Sequence, residues 1–140
     1  MARQLNAYLD PAQVPDHATL QAAVKALGFG IVFDAPWLPF ETSGYIPCTA
    51  QGEDAGLELR FEANGPWPEA AAANAAAQGS RSVLVQLRWG GDKREELCAT
   101  ALAAALVGHC DAVVLEPERG VRKSLSGLKA HGRELHEGTF

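Results

Sequence analysis

The stretch QLRWGGDKREELCATALAAAL, residues 86–106, sets two glycines and an aspartate between a strand-like run and an alanine-rich one. Backbone amides in such a turn, just ahead of a helix, could hold an anion. The phosphate-cradling pattern needs a lysine and a hydroxyl residue after its last glycine, and the dinucleotide fingerprint needs G-x-G-x-x-G. Lys93 and Arg94 follow Asp92 here, so neither pattern is met. The stretch reads instead as a joint. Asp92 suits an N-cap, Glu95 stands at the third helical position to reach back, and Glu95 and Glu96 suit the positive helix end. Gly90 and Gly91 supply backbone freedom for the turn.

Cysteine chemistry needs a thiolate with a base beside it. Cys48, after Pro47 in a loop-like segment, is the best candidate nucleophile, with His17, His109, His131 and His136 as conceivable bases. The competing reading is a packed thiol, since free cysteine is among the most buried residue types. Cys98 falls on the inner face of the alanine-rich helix. Cys98, His109 and Cys110 could ligate a metal, but their spacing matches no zinc pattern and a fourth ligand is lacking. No metal or other cofactor is expected. The carboxylate neighbours Glu53-Asp54 and Glu95-Glu96, and Glu116 and Glu118 about Pro117, read as solvated turns rather than as a pair opposed across a cleft.

The loops over 36–46 and 64–68 place Trp37, Phe40, Tyr45 and Trp67 among prolines, with acidic residues close in sequence. Aromatics in stiff loops with an acidic border have the makings of a protein-binding surface. The candidate partner-binding residues are therefore Trp37, Glu41, Tyr45, Glu53, Asp54, Glu58 and Trp67. The competing reading, strongest for Trp37 and Phe40, is that these rings close the ends of the core.

The elements that must position these groups follow from periodicity. Residues 1–15 suggest a short helical turn about Leu5 and Leu9, broken by Pro11 and Pro15. Asp16 then caps a helix on which Leu20, Ala23, Val24 and Leu27 recur at helical spacing, with Gly28 closing it. Phe29, Ile31 and Phe33 alternate as a strand. Residues 45–50 and LELRFE, where Leu57, Leu59 and Phe61 oppose Glu58, Arg60 and Glu62, make a hairpin with one packed face and one wet face. The segment about 69–79 reads as a short helix or loose connection. Val83, Val85, Leu87 and Trp89 form the next strand. A helix runs from Asp92 to about Val107 and stops at Gly108; a short strand at 112–115 and a weak helix about Leu125, Leu128 and Leu135 complete the chain. This order predicts a single α+β domain over 1–140. The expected architecture is a two-layer sandwich with a mainly antiparallel sheet of four to five strands packed against helices.

The totals bound the function. With 140 residues, 47% apolar and 21% charged, the chain has an ordinary globular composition. A net charge of −5 argues against a general nucleic-acid binder and suits a basic partner. The three cysteines contain no C-x-x-C pair, so reduced thiols are the expectation. The start carries no apolar run of signal-peptide length, and no window approaches a membrane span, which predicts a soluble, cytoplasmic protein.

Taken in order, GF at 28–29, SGYIPC at 43–48, GLELRF at 56–61, RWGGD at 88–92 with ELCATALAAAL, and AVVLEPERG at 112–120 carry a resemblance. The chain resembles a family of small bacterial α+β proteins with S-G-[FY]-x-P-C, a G-x-E-x-x-F strand and R-W-G-G-D before an alanine-rich helix. The resemblance covers most of residues 5–120. Proteins of this kind are similar to immunity proteins encoded beside toxins of bacterial type VI secretion systems, nuclease toxins among them. The resemblance implies a cytoplasmic protein, monomer or small homo-oligomer, that binds and neutralises a cognate toxin, and it implies no enzymatic activity. Ser43, Gly44, Pro47, Cys48, Trp89, Gly90, Gly91 and Asp92 transfer as structural marks only. Two other readings stay open: an enzyme using Cys48 in a pocket near the 36–48 loop, and a small-ligand-binding domain marked by an apolar pocket.

Overall fold

The computed structural model describes residues 3–65, 79–117 and 120–139. Strands β1 (Arg3–Leu9), β2 (Ile31–Phe33), β3 (Gly44–Ala50), β4 (Glu53–Glu62), β5 (Val83–Trp89), β6 (Val113–Glu116) and β7 (Val121–Lys123) form one sheet of seven. Their order is β2-β3-β4-β5-β1-β6-β7, with every neighbouring pair antiparallel. Three α-helices accompany it among the described residues: α1 (His17–Lys25), α2 (Lys93–Cys110) and α3 (Leu125–Thr139). The α+β class and the antiparallel sheet are as the sequence predicts, and the strands outnumber the expected four to five.

The extra strands have physical causes. Residues 3–9 are not a helical turn but the strand β1, held between β5 and β6. Leu5 and Leu9 satisfy both an i, i+4 and a period-two pattern, and pairing on both edges decides for the second. Its two faces are both covered, with Leu5, Ala7 and Leu9 inward and Asn6 and Tyr8 buried on the opposite side, so clean alternation is absent. Strand β7 is three exposed residues without an apolar signal.

One face of the sheet carries the main core. Ile46, Cys48, Leu57, Leu59, Phe61, Val85 and Leu87 meet α2, whose residues from Leu97 to Leu106 are all buried, alongside Leu20 and Val24 of α1 and Leu128 and Leu135 of α3. Alanines along α2 let its backbone approach the sheet closely, which explains a helix with scarcely any polar face. The helix passes Gly108 and ends at Asp111, which takes the left-handed conformation (φ 54°). Arg81 fixes that end, its Nε donating to the Asp111 carbonyl and its guanidinium pairing with the Asp111 carboxylate, each at 2.9 Å. Asp111 is itself the C-cap, its N–H donating to the Leu106 carbonyl, so Gly108 misleads as a stop signal.

The free edge of β2 is closed by a side chain. Gln21 of α1 donates through Nε2 to the Ile31 carbonyl (3.1 Å), and its Oε1 accepts from the Phe33 N–H (2.7 Å). The amide thus occupies the places an adjoining strand would take, which blunts an edge open to intermolecular pairing. Between β3 and β4, Gln51 and Gly52 both have positive φ (54° and 80°), the two-residue turn whose twist matches an antiparallel hairpin.

Candidate functional site

The RWGGD joint is self-satisfied. Asp92 caps α2, its Oδ1 accepting from the Arg94 N–H (2.7 Å) and the Glu95 N–H (3.3 Å). Glu95 reaches back past the cap, its Oε1 accepting from the Gly90 N–H at 3.1 Å. Three of the amides an anion would use, those of Gly90, Arg94 and Glu95, therefore already face the chain's own carboxylates. Trp89 is buried at the strand end, its indole N–H without a partner among the described residues. The joint positions α2 on the sheet.

Cys48 does not lie in a loop. It is on the inner face of β3, 1% exposed, and its Sγ bonds to the Ile46 carbonyl (3.7 Å). Its facing group is the Cys98 thiol of α2, not a histidine. The hydrogen bond to Cys48 and then burial hold the Cys98 thiol well above the usual thiol range. Burial also raises Cys110. The histidines lie elsewhere: His17 on the rings of Phe33 and Trp37, His131 on Glu96 (2.9 Å), His136 on Gln51 (2.8 Å) and the ring of Phe29, and His109 beside the outer face of α1. A substrate cannot reach Cys48 in this arrangement, and no base activates it there. Cys98 and Cys110 are twelve positions apart on one helix, a rise of about 18 Å, so they cannot share an ion with His109.

Trp37 is corrected from candidate contact to core residue. It is 3% exposed, stacked on Phe61 (centroids 5.5 Å) and edge-on to Phe33 (5.6 Å). Its indole N–H and His17 Nε2 are both buried without partners among the described residues. The neighbouring loop residues behave differently: Leu38 is 59% exposed and Phe40 49%, Phe40 meeting the edge of Phe61 at 5.8 Å. Trp67 lies outside the described residues.

Of the remaining candidates, Tyr45, Asp54 and Glu58 fall on the sheet face opposite the helices, and strand register arranges the polar residues of that face in rows. Tyr45, Glu58, Arg88 and Gln4 run side by side across β3, β4, β5 and β1. The next row holds Arg60, Gln86 and Asn6, and beyond it Glu62, Leu84 and Tyr8. This face is divided. Tyr8, Leu84, Val113 and Leu115 form a buried apolar cluster at one end, with the Gly65 backbone pressed on Leu84. Burial raises the Tyr8 hydroxyl above its ordinary range. The other end is open, a concavity of about 520 Å³ lined by Gln4, Glu58, Arg60, Gln86, Arg88 and the loop residues Phe40, Thr42, Ser43 and Gly44.

Tyr45 stands on this open face, 60% exposed, with its hydroxyl over Gly56, where an added Cβ would collide with it. Partial desolvation there raises its hydroxyl. Glu58 lies 3.8 Å from Arg88, and Asp54 is exposed on the same face opposite Thr49. Glu53, adjacent in sequence, points to the helix side and pairs with Arg94 at 3.0 Å. Register thus separates two carboxylates that look like one patch in sequence. Glu41 is exposed on the adjoining loop. Sequence reasoning missed Gln4, Gln86, Arg60 and Arg88, although polar residues alternating inside RQLN and QLRW were the signal of an uncovered face.

A second, shallower concavity of about 550 Å³ runs along Ala18, Thr19, Ala22, Ala23 and Ala26 of α1 to His109. Its small, featureless walls give no convergent polar groups. Among the described residues, no helix is long and apolar enough to cross a membrane. Comparison with protein-family models, curated proteins and solved structures finds no match, so the functional reading rests on the chain's own surface.

Proposed function

We propose that this chain is a protein-binding module, an immunity protein that neutralises a cognate bacterial toxin through the open half of its sheet. The observation that carries this is the contrast between interior and surface. The thiols are buried and the helix N-terminus is self-capped, while Leu38, Phe40 and Tyr45 are between 49% and 60% exposed around a polar sheet face. Exposed aromatics ringed by hydrogen-bonding groups are the anchors of protein interfaces. Glu41, Asp54 and Glu58 border them, and with the net charge of −5 they suit a basic toxin surface, speeding encounter at low salt. A nuclease toxin, whose substrate is polyanionic, has such a surface. The resemblance of RWGGD and SGYIPC supports the same reading, and a cytoplasmic site of action goes with it.

The test is co-expression with the toxin encoded beside this chain's gene, scored by growth and by a one-to-one complex on gel filtration. Tyr45→Ala with Phe40→Ala should weaken the complex about tenfold or more, as interface anchors do, with unchanged thermal stability. Asp54→Lys should slow association at low salt and leave dissociation nearly unchanged. A toxin bound with full affinity by all these variants removes the open face from the interface. A neighbouring toxin that the wild-type chain neither binds nor neutralises removes the immunity reading itself.

A further inference from the structure

The open half of the sheet reverses the sign of the chain. Among the residues lining its concavity, Arg60 and Arg88 stand against Glu58 as the charged groups. That leaves an excess of one positive charge on the docking face of a protein whose net charge is −5. Strand register sets the two arginines on one diagonal. Arg60 faces Gln86 and Arg88 faces Glu58 across β4 and β5. Diagonal neighbours of this kind are about 7–8 Å apart at the backbone, within reach of side chains this long. Their existing partners hold them weakly. The nearest approach is through Nε in each case, to Glu62 at 3.3 Å for Arg60 and to Glu58 at 3.8 Å for Arg88, and both side chains stay more than half exposed. Exposed pairs of this kind contribute little. The terminal nitrogens of both forks are left for a further acceptor. Beside them the Gln86 amide is half-buried and has no hydrogen-bond partner among the described residues.

We infer that, on the immunity reading above, this floor takes a single carboxylate of the toxin, an Asp or Glu side chain standing within an otherwise basic docking surface. Two planar forks converging along one diagonal match the two oxygens of a carboxylate, each oxygen accepting N–H donors from one arginine. The Gln86 amide supplies a further donor beside them. A partner face that is basic throughout would instead press its cations on Arg60 and Arg88, a like-charge contact that costs affinity. Border and floor thus divide the work. Glu41 and Asp54 draw a basic surface in, and Arg60 and Arg88 retain only one that carries a carboxylate in the matching place. The two arginines are therefore the determinant that separates the cognate toxin from other basic proteins. Docking shields this contact from water, so its loss is felt in dissociation more than in encounter.

The experiment measures association and dissociation rates of the toxin encoded beside this chain's gene. Its targets are the full wild-type chain, Arg60→Gln, Arg88→Gln and the double variant. Each single change should weaken the complex about tenfold or more, chiefly through faster dissociation, at unchanged melting temperature. The double variant should lose less than the product of the two, because both arginines hold one group. Arg60→Lys and Arg88→Lys keep the charge and should still lose several-fold, since an ammonium lacks the fork. The lysine variants decide the matter should a glutamine variant lose stability. On the toxin, replacing surface Asp and Glu residues by Ala one at a time should find one whose loss weakens the wild-type complex and adds nothing once both arginines are gone. Arginine variants that bind as tightly as the wild type, or more tightly, would overturn the floor site; if Tyr45→Ala with Phe40→Ala still weakens the complex, the immunity reading stands without it. A toxin in which no carboxylate couples to the arginines overturns it equally. A toxin that the wild-type chain does not bind removes both the site and the reading it rests on.

Discussion

Replacing Gly132 by alanine sets local preference against tertiary packing. In the middle of α3, glycine costs roughly 1 kcal/mol relative to alanine, so helix propensity alone makes Gly132→Ala stabilising. The fold reverses the sign. A Cβ at Gly132 would fall 2.8 Å from Cε2 and 2.9 Å from Cζ of Phe29. Carbon atoms in contact prefer about 3.5–4.0 Å, so the overlap approaches 1 Å. The ring cannot swing out freely, since it is buried and lies against His136, with centroids 5.8 Å apart. Overpacking of this kind costs about 1–3 kcal/mol. Less the propensity gain, the variant should lose about 1 kcal/mol and at most about 2, read as a lower urea midpoint at unchanged slope. Gly138→Ala is the control, because nothing lies within 4 Å of its added Cβ, and it should be neutral or stabilising. Phe29→Leu combined with Gly132→Ala should recover part of the loss, giving a coupling of about 1 kcal/mol in a double-mutant cycle. A Gly132→Ala chain as stable as the wild type or more so would refute the notch for Phe29.

Gln21→Leu should cost about 1–2 kcal/mol for two lost hydrogen bonds, and it should also uncover the β2 edge, giving concentration-dependent association in light scattering. A monomer of undiminished stability would mean the amide does not guard that edge. Asp92→Ala should cost about 1 kcal/mol in the denaturant midpoint as a lost cap, with toxin binding retained; binding lost at full stability would put RWGGD in the interface after all. The Asp16 carboxyl is held below its ordinary 3.8 by hydrogen bonds from the Thr19 side chain and N–H. A lowered folded-state pKa stabilises above the unfolded value, and that contribution is lost as pH falls through the folded one. Asp16→Asn should therefore flatten the decline of the unfolding midpoint as pH falls from 3.8 toward the lower folded-state value, and an unchanged acid slope would argue against the cap.

How much of this was legible in the sequence depends on whether the signal was local. The capped start of α1 at Asp16, the β3–β4 hairpin and the Asp92 joint rest on contacts between residues a few positions apart, and their side chains announce them. β1 was not legible, because Leu5 and Leu9 fit two periods and only pairing with β5 and β6 selects one. The end of α2 was not legible either, because the helix runs past Gly108 to a left-handed Asp111 that Arg81, thirty positions earlier, holds in place.

The candidate site divides in the same way. Sequence alone determined that the chain is acidic, that aromatics crowd the 36–46 loop, and that Glu58 and Arg60 alternate with apolar neighbours. Tertiary structure decided which of them meet solvent: it buried Trp37 against Phe61, turned Glu53 toward Arg94, and set Glu58 beside Arg88 and Gln4. The physical reason is that hydrophobic periodicity fixes which side of an element is apolar, whereas the neighbours on that side come from register and packing between segments far apart in the chain.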